Sequence, residues 1–168
     1  RIEPRCPHFT ACGGCQYQHL PYPTQLTAKR KQLIDIFQRI GSFAEPPIQA
    51  VVPCPAPYGY RNRILVRTQY SKRTKRMSVG FLRHDNRLVV DLEHCHIAEP
   101  ALNEQLQVVR EDPPTKNGVK FNLRMMPDDW VLPPDSFFQV NYHLLPGMVK
   151  AVRQYLEAAK STHLLDIY

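Results

Sequence analysis

Residues 61–95 read RNRILVRTQYSKRTKRMSVGFLRHDNRLVVDLEHC. Ile64 and Val66 alternate with Arg61, Arg63 and Arg67, a period of two that puts apolar groups on one face of a strand and cations on the other. Met77–Leu82 and Arg87–Leu92 predict two more strands, joined by a turn around His84-Asp85-Asn86 and preceded by a basic turn over 71–76. The stretch predicts an antiparallel meander with one basic face. It delivers the chain to Cys95, at the end of the last strand.

On the N-terminal side, residues 1–22 lack periodicity and read as a loop. A helix is predicted from Thr24 as its cap, with Leu26, Leu33, Ile36, Phe37 and Ile40 on one face and Gly41 as the left-handed C-terminal residue. Lys29, Arg30, Lys31 and Arg39 on its other face read as a solvated surface, with RNA contact as the rival. A connector, Pro53-Cys54-Pro55-Ala56-Pro57, leads into the meander.

On the C-terminal side, a short helix is predicted from about Glu99 to Val109, with Pro100 in its first turn and Leu102, Leu106 and Val109 inward. Residues 111–118 read as loop, Val119–Met125 as a strand and Pro127–Ser136 as irregular. A last helix over Leu145–Lys160 carries Met148, Val149, Val152, Leu156 and Ala159 as its buried stripe, and Leu164–Tyr168 reads as a strand. Helix, then apolar strand with Asp166 near its end, is how a nucleotide-binding α/β unit begins. With no Met at position 1 and this unit cut short, the chain reads as a fragment, and an abrupt join is expected between about Val109 and Val119.

The chain has 168 residues, one domain's worth, with 22 Lys and Arg against 15 Asp and Glu, a net charge of +7. That surplus favours a polyanionic partner, because each neutralised phosphate releases condensed counterions. Arg61, Arg63 and Arg67 on one face, with Lys72, Arg73, Lys75 and Arg76 in the following turn, cluster as nucleic-acid binders do. No run approaches the roughly 20 apolar residues of a spanning helix, and no export signal precedes the loop, so a cytoplasmic protein with no membrane contact is expected. Sixteen prolines against seven glycines point to rigid loops between short elements.

Five cysteines, at positions 6, 12, 15, 54 and 95, make a poor disulfide framework in such a chain. Cys6, Cys12 and Cys15 form C-x5-C-x2-C with Cys95 far downstream, a local spacing one residue wider than in plant-type ferredoxins. Three local thiolates and one distant one suit a cuboidal iron-sulfur cluster. Zinc is an equal rival, held by the same thiolates or by a mixed set drawing on His8, His19, His94 or His96. Gly13-Gly14 is expected to supply unusual φ values and a close backbone approach to a bulky inorganic core.

Several separated strings now occur in one order. Cys6-Pro7-His8-Phe9, Ala11-Cys12-Gly13-Gly14-Cys15-Gln16, Gln18-His19-Leu20 and Gln25-Leu26 before Lys29 resemble the iron-sulfur segment of bacterial S-adenosylmethionine-dependent RNA (uracil-5-)-methyltransferases of the 23S rRNA 5-methyluridine type. Tyr58-Gly59-Tyr60-Arg61-Asn62-Arg63, Val79-Gly80-Phe81, Val89-Val90-Asp91-Leu92 with Cys95, and Ser136-Phe137-Phe138-Gln139-Val140-Asn141 resemble the same family. Leu165-Asp166-Ile167-Tyr168 is similar to its first cofactor-binding strand. A coincidence of ordered motifs is far more specific than a lone C-x2-C.

The resemblance implies an α+β chain, with an antiparallel-sheet central domain bearing an iron-sulfur loop (residues 1–17 and 50–134) and the start of a Rossmann-like S-adenosylmethionine methyltransferase domain (18–49 and 135–168). It implies Cys6, Cys12, Cys15 and Cys95 as ligands of a 4Fe-4S cluster, Gln139 and Tyr168 as contacts to S-adenosyl-L-methionine, and Phe137 against RNA bases. Arg61 and Arg63 are expected at the RNA. Phe137 has an equal alternative as a core residue beside Phe138. The implied reaction adds a cysteine thiolate to uracil C6, so that C5 takes the methyl group and a base then removes the C5 proton.

No cysteine here matches that nucleophile, which is expected beyond residue 168, so the fragment alone should be inactive. The expected partner is RNA, 23S rRNA in particular, with no obligate protein partner. The 44 positions from Cys95 to Gln139 look short for the family, and the N-terminal RNA-binding barrel common in relatives is not expected among these residues. The competing readings are a stand-alone iron-sulfur electron carrier, which the basic surface and terminal α/β unit disfavour, and a zinc-stabilised nucleic-acid-binding module without catalysis.

Overall fold

In a computed structural model, residues 1–126, 130–133, 136–160 and 162–165 are described. The elements are α1 (Tyr22–Arg39), β1 (Arg63–Ser71), β2 (Arg76–Leu82), β3 (Val89–Asp91), α2 (Pro100–Glu111), β4 (Lys120–Arg124), a 3-10 turn (Tyr142–Leu144) and α3 (Leu145–Ala158). The chain is thus a mixed α/β structure built on one four-stranded sheet, in the order β3-β2-β1-β4 with every pair antiparallel. The meander predicted from residues 61–95 is its β1-β2-β3 portion. The strand predicted over Val119–Met125 adds to the free side of β1, pairing Ile64 with Leu123 and Val66 with Phe121.

One face of the sheet carries the core. Ile64, Val66 and Val79 pack with Leu92, Leu123 and the inward Leu102 and Leu106 of α2, both fully buried. α2 begins as predicted, with Pro100 in its first turn, where the missing N–H breaks no helical bond. Cys95, Ile97 and Ala98 close the same cluster. The fourth cysteine is therefore fixed by the sheet's own core.

The outcome departs from expectation at several places. The first strand begins at Arg63, because Arg61 is engaged in an isolated parallel bridge with Ala98 and takes the Glu99 N–H on its carbonyl at 3.0 Å. α1 begins at Tyr22, since Pro23 is tolerated in a first turn, which leaves Thr24 inside the helix and removes it as a cap. The left-handed residue after α1 is Ser42 (φ 57°), one place beyond Gly41. The apolar stripe of α3, expected buried, buries no residue, nor does the apolar face of α1: Ile36 is 51 % exposed and Val152 also 51 %. Leu164 and Leu165 are exposed and outside any strand, while Asp166, Ile167 and Tyr168 lie outside the described residues. Of the irregular stretch 127–136, residues 130–133 have no regular structure as expected, and 127–129 and 134–135 lie outside the described residues.

No helix among the described residues is long and apolar enough to cross a membrane.

Candidate functional site

Residues 6–20 form a chain of turns because backbone carbonyls early in the loop collect the N–H groups that follow. The Cys6 carbonyl accepts from Phe9 N–H (3.1 Å), and the His8 carbonyl from both Ala11 (3.2 Å) and Cys12 (2.9 Å). Thr10, at φ 75°, makes the left-handed reversal. Gly13 and Gly14, expected to have unusual φ, do not; Gly13 instead permits a close backbone approach. A Cβ on Gly13 would sit 3.2 Å from the Leu82 carbonyl oxygen, which accepts the Gly13 N–H at 3.0 Å. With Cys12 bridged to Arg83, the loop docks on the end of β2.

That docking brings Cys6, Cys12, Cys15 and Cys95 to the walls of one cavity, together with Gln18, His8, His94 and His96. Two buried amides hold the thiol-bearing backbone. Gln18 accepts the Cys6 N–H on its Oε1 at 3.0 Å. Asn103, on α2, accepts the Cys95 N–H on Oδ1 at 2.7 Å and donates from Nδ2 to the Cys95 carbonyl at 3.2 Å. Sequence reasoning missed Asn103, although a polar residue between Leu102 and Leu106 was a visible sign.

Burial pushes the Cys12, Cys15 and Cys95 thiols up from their usual range, opposed by the Gly14 N–H at Cys12, the Gln18 side chain at Cys15 and the Ile97 and Ala98 backbone at Cys95. Thiols raised in this way are protonated at neutral pH and poorly nucleophilic; they ligate only when an electrophilic centre displaces their protons. Arg61 acts in the opposite direction on Cys12 and Cys15, and its Nε is buried with no hydrogen-bond partner among the described residues. Among the described residues no group of three or more His, Cys, Asp or Glu side chains converges as a metal-binding group.

Cys54 stands apart from this set. It is buried, its N–H donates to the Tyr22 hydroxyl at 2.7 Å, and Asn141 Nδ2 donates to its Sγ at 3.2 Å. These contacts give Cys54 a structural place between Tyr22 and Asn141.

The remaining candidates are spread over the sheet and the segment after β4. Arg63, on β1, donates from Nε to Asn122 Oδ1 at 2.7 Å. Phe137 is 78 % exposed and no part of the core. Gln139 is half-buried, and its carbonyl accepts from Asn62 Nδ2 at 3.0 Å; the Asn62 N–H reaches the Val140 carbonyl. Asn62, fully buried, thereby ties the Phe137–Val140 segment to the start of β1. Tyr168 lies outside the described residues.

No family model matches the chain. It is 40 % identical over 112 residues to an RNA methyltransferase of Nostoc sp., covering 67 % of this chain and 24 % of the relative. It is 38 % identical over 112 residues to the 23S rRNA (uracil(1939)-C(5))-methyltransferase RlmD of Methylococcus capsulatus, covering 66 % and 25 %. The fold matches that of the Pyrococcus abyssi tRNA (uracil-54, C5)-methyltransferase, solved with S-adenosyl-L-homocysteine, at a TM-score of 0.58 and 21 % identity over 89 % of this chain and 52 % of that one. The chain spans about a quarter of the length of the curated relatives it matches. On identities of this level over two thirds of its length, the chain belongs to the family of RNA methyltransferases that includes the 23S rRNA uracil-C5 enzymes.

Proposed function

We propose that this chain is the sheet-bearing segment of an enzyme that transfers a methyl group from S-adenosyl-L-methionine to C5 of a uridine in 23S rRNA. The observation that carries the reading is the 38 % identity over 112 residues to a 23S rRNA uracil-C5 methyltransferase. The test is methyl transfer by the full-length protein from radiolabelled S-adenosylmethionine to unmodified 23S rRNA. Label recovered as 5-methyluridine is the expected result; label on another base, or none, removes the assignment.

Within this reading, residues 1–17 and 50–134 form a central domain, and 18–49 with 135–168 belong to the methyltransferase domain. The self-contained core of the sheet and α2, against the uncovered stripes of α1 and α3, supports that division. Gln139 and Tyr168 would contact S-adenosylmethionine, and Arg63 and Phe137 the RNA. Arg61 would stand with them at the RNA, its guanidinium also working against the upward push of burial on the Cys12 and Cys15 thiols.

The donor set of the thiol cavity fits a 4Fe-4S cluster. Cys6, Cys12, Cys15 and Cys95 would hold it, one thiolate on each of four irons, an arrangement that does not require the sulfurs to converge on a point as one zinc ion does. When bound, the cluster would crosslink the N-terminal loop to the end of the meander. Anaerobically purified full-length protein should contain about four irons and four acid-labile sulfides; one zinc and no sulfide would replace the cluster with a zinc site. None of the five cysteines stands as a nucleophile: four line the cavity, and Cys54 is buried against Asn141. Addition to uracil C6 therefore falls to a thiolate outside these residues, and the chain alone is inactive in this reading.

A further inference from the structure

β1 and β2 remain in register to their last pair, Ser71 with Arg76, and a four-residue turn joins them. The turn is locally closed, with the Thr74 N–H donating to Ser71 Oγ at 3.3 Å and Lys75 left-handed at φ 53°. Lys72, Arg73, Lys75 and Arg76 are all exposed, no carboxylate interrupts them, and none is ion-paired among the described residues. The core ends before this tip. Thr68 is 1 % exposed, whereas Tyr70, next on the same side of β1, is 46 % exposed.

The sheet behind the tip carries the same sign. Arg67 stands directly opposite Lys120 across the β1–β4 ladder, a like-charge pair that destabilises a sheet when nothing neutralises it. A hairpin that outruns its core to hold four clustered cations adds to that self-repulsion. A polyanion laid along the tip and the outward face offsets both. Tyr70 adds an exposed ring of the kind unpaired bases stack on.

We propose that the β1–β2 hairpin tip is a phosphate grip for RNA, a docking surface separate from the thiol cavity and from Phe137. The proposal rests on the RNA reading above and adds where the backbone is held. The thiol loop docks at the opposite end of β2, across the length of its seven residues, or about 20 Å at the rise of a strand. Long, exposed Lys and Arg side chains at that distance contact phosphates and so position the RNA without reading its sequence.

Fluorescence anisotropy with two labelled RNA hairpins of different loop sequence, titrated with the full-length protein through a salt series, tests this. The variant K72Q/R73Q/K75Q/R76Q is compared with a charge-matched control on other exposed positions, K29Q/K31Q/R39Q/K160Q. Expected are a loss of about tenfold or more for the tip variant on both RNAs at low salt, and a log–log salt slope shallower by roughly three, at about 0.7–0.9 per lost phosphate contact. The control should change by less than about twofold. Lysine acetylation of the unmutated protein supplies a readout independent of folding, with RNA protecting Lys72 and Lys75 but not Lys29 and Lys31. A tip variant that binds like wild type, a control weakened as much, or unprotected tip lysines overturns the grip and leaves the RNA reading standing. Wild type with no affinity for either RNA overturns both.

Discussion

Asn103 holds Cys95 by both of its backbone groups, and it does so from inside the core, 8 % exposed. An amide is the one neutral side chain that offers a donor and an acceptor in this geometry. Asn103→Leu keeps the branched heavy-atom shape, with bulkier methyl ends, and removes both partners, leaving a buried N–H unpaired and the Cys95 carbonyl with only the Ala98 N–H. The expected cost is about 1–3 kcal/mol, the penalty for orphaned buried polar groups, read as a lower midpoint in urea. Gln18→Ala should cost less than Asn103→Leu in the same assay, because Gln18 satisfies one backbone group where Asn103 satisfies two. The cysteines were legible from spacing. Their two amide supports were not, because each pairing is set by tertiary approach between loop and helix, or within a loop without periodicity.

At the scale of elements, β3 lies close over Gly80 of β2. A Cβ there would lie 2.0 Å from the Val90 carbonyl oxygen and 3.1 Å from the Leu92 side chain, so Gly80→Ala must push β3 outward. The displaced atoms are backbone, which cannot swing aside. A cost of about 1–3 kcal/mol is expected for such overpacking. Because β3 leads directly to Cys95, amide hydrogen exchange over 89–95 should accelerate more than over β4; uniform acceleration would place the strain elsewhere. The strands themselves were readable from alternation, since Ile64 and Val66 with Thr68 next to them do face the core. Element ends were less readable. Arg61 continues the alternation but is captured by Ala98 and Glu99, and Pro23 starts α1 before its best capping side chain.

At the scale of the molecule, periodicity told which faces are apolar and not which are covered. α2 and α3 carry comparable stripes, yet Leu102 and Leu106 are fully buried while Met148, Val149 and Val152 are each about half exposed. A stripe records that a partner is required, and only α2 finds its partner, the sheet, within the described residues. Stability of the chain should follow the same line. Leu106→Ala opens a cavity at the centre of the core and should cost about 2–5 kcal/mol. Ile36→Ala on α1 and Val152→Ala on α3 remove methyl groups that already face solvent, and should change stability by no more than about 0.5 kcal/mol. Urea denaturation of the three variants of this chain, compared at equal m-value, separates the cases. Equal losses at Ile36 or Val152 would mean that α1 or α3 is packed as tightly as α2, and would remove the structural support for dividing residues 18–49 and 135–168 from the sheet.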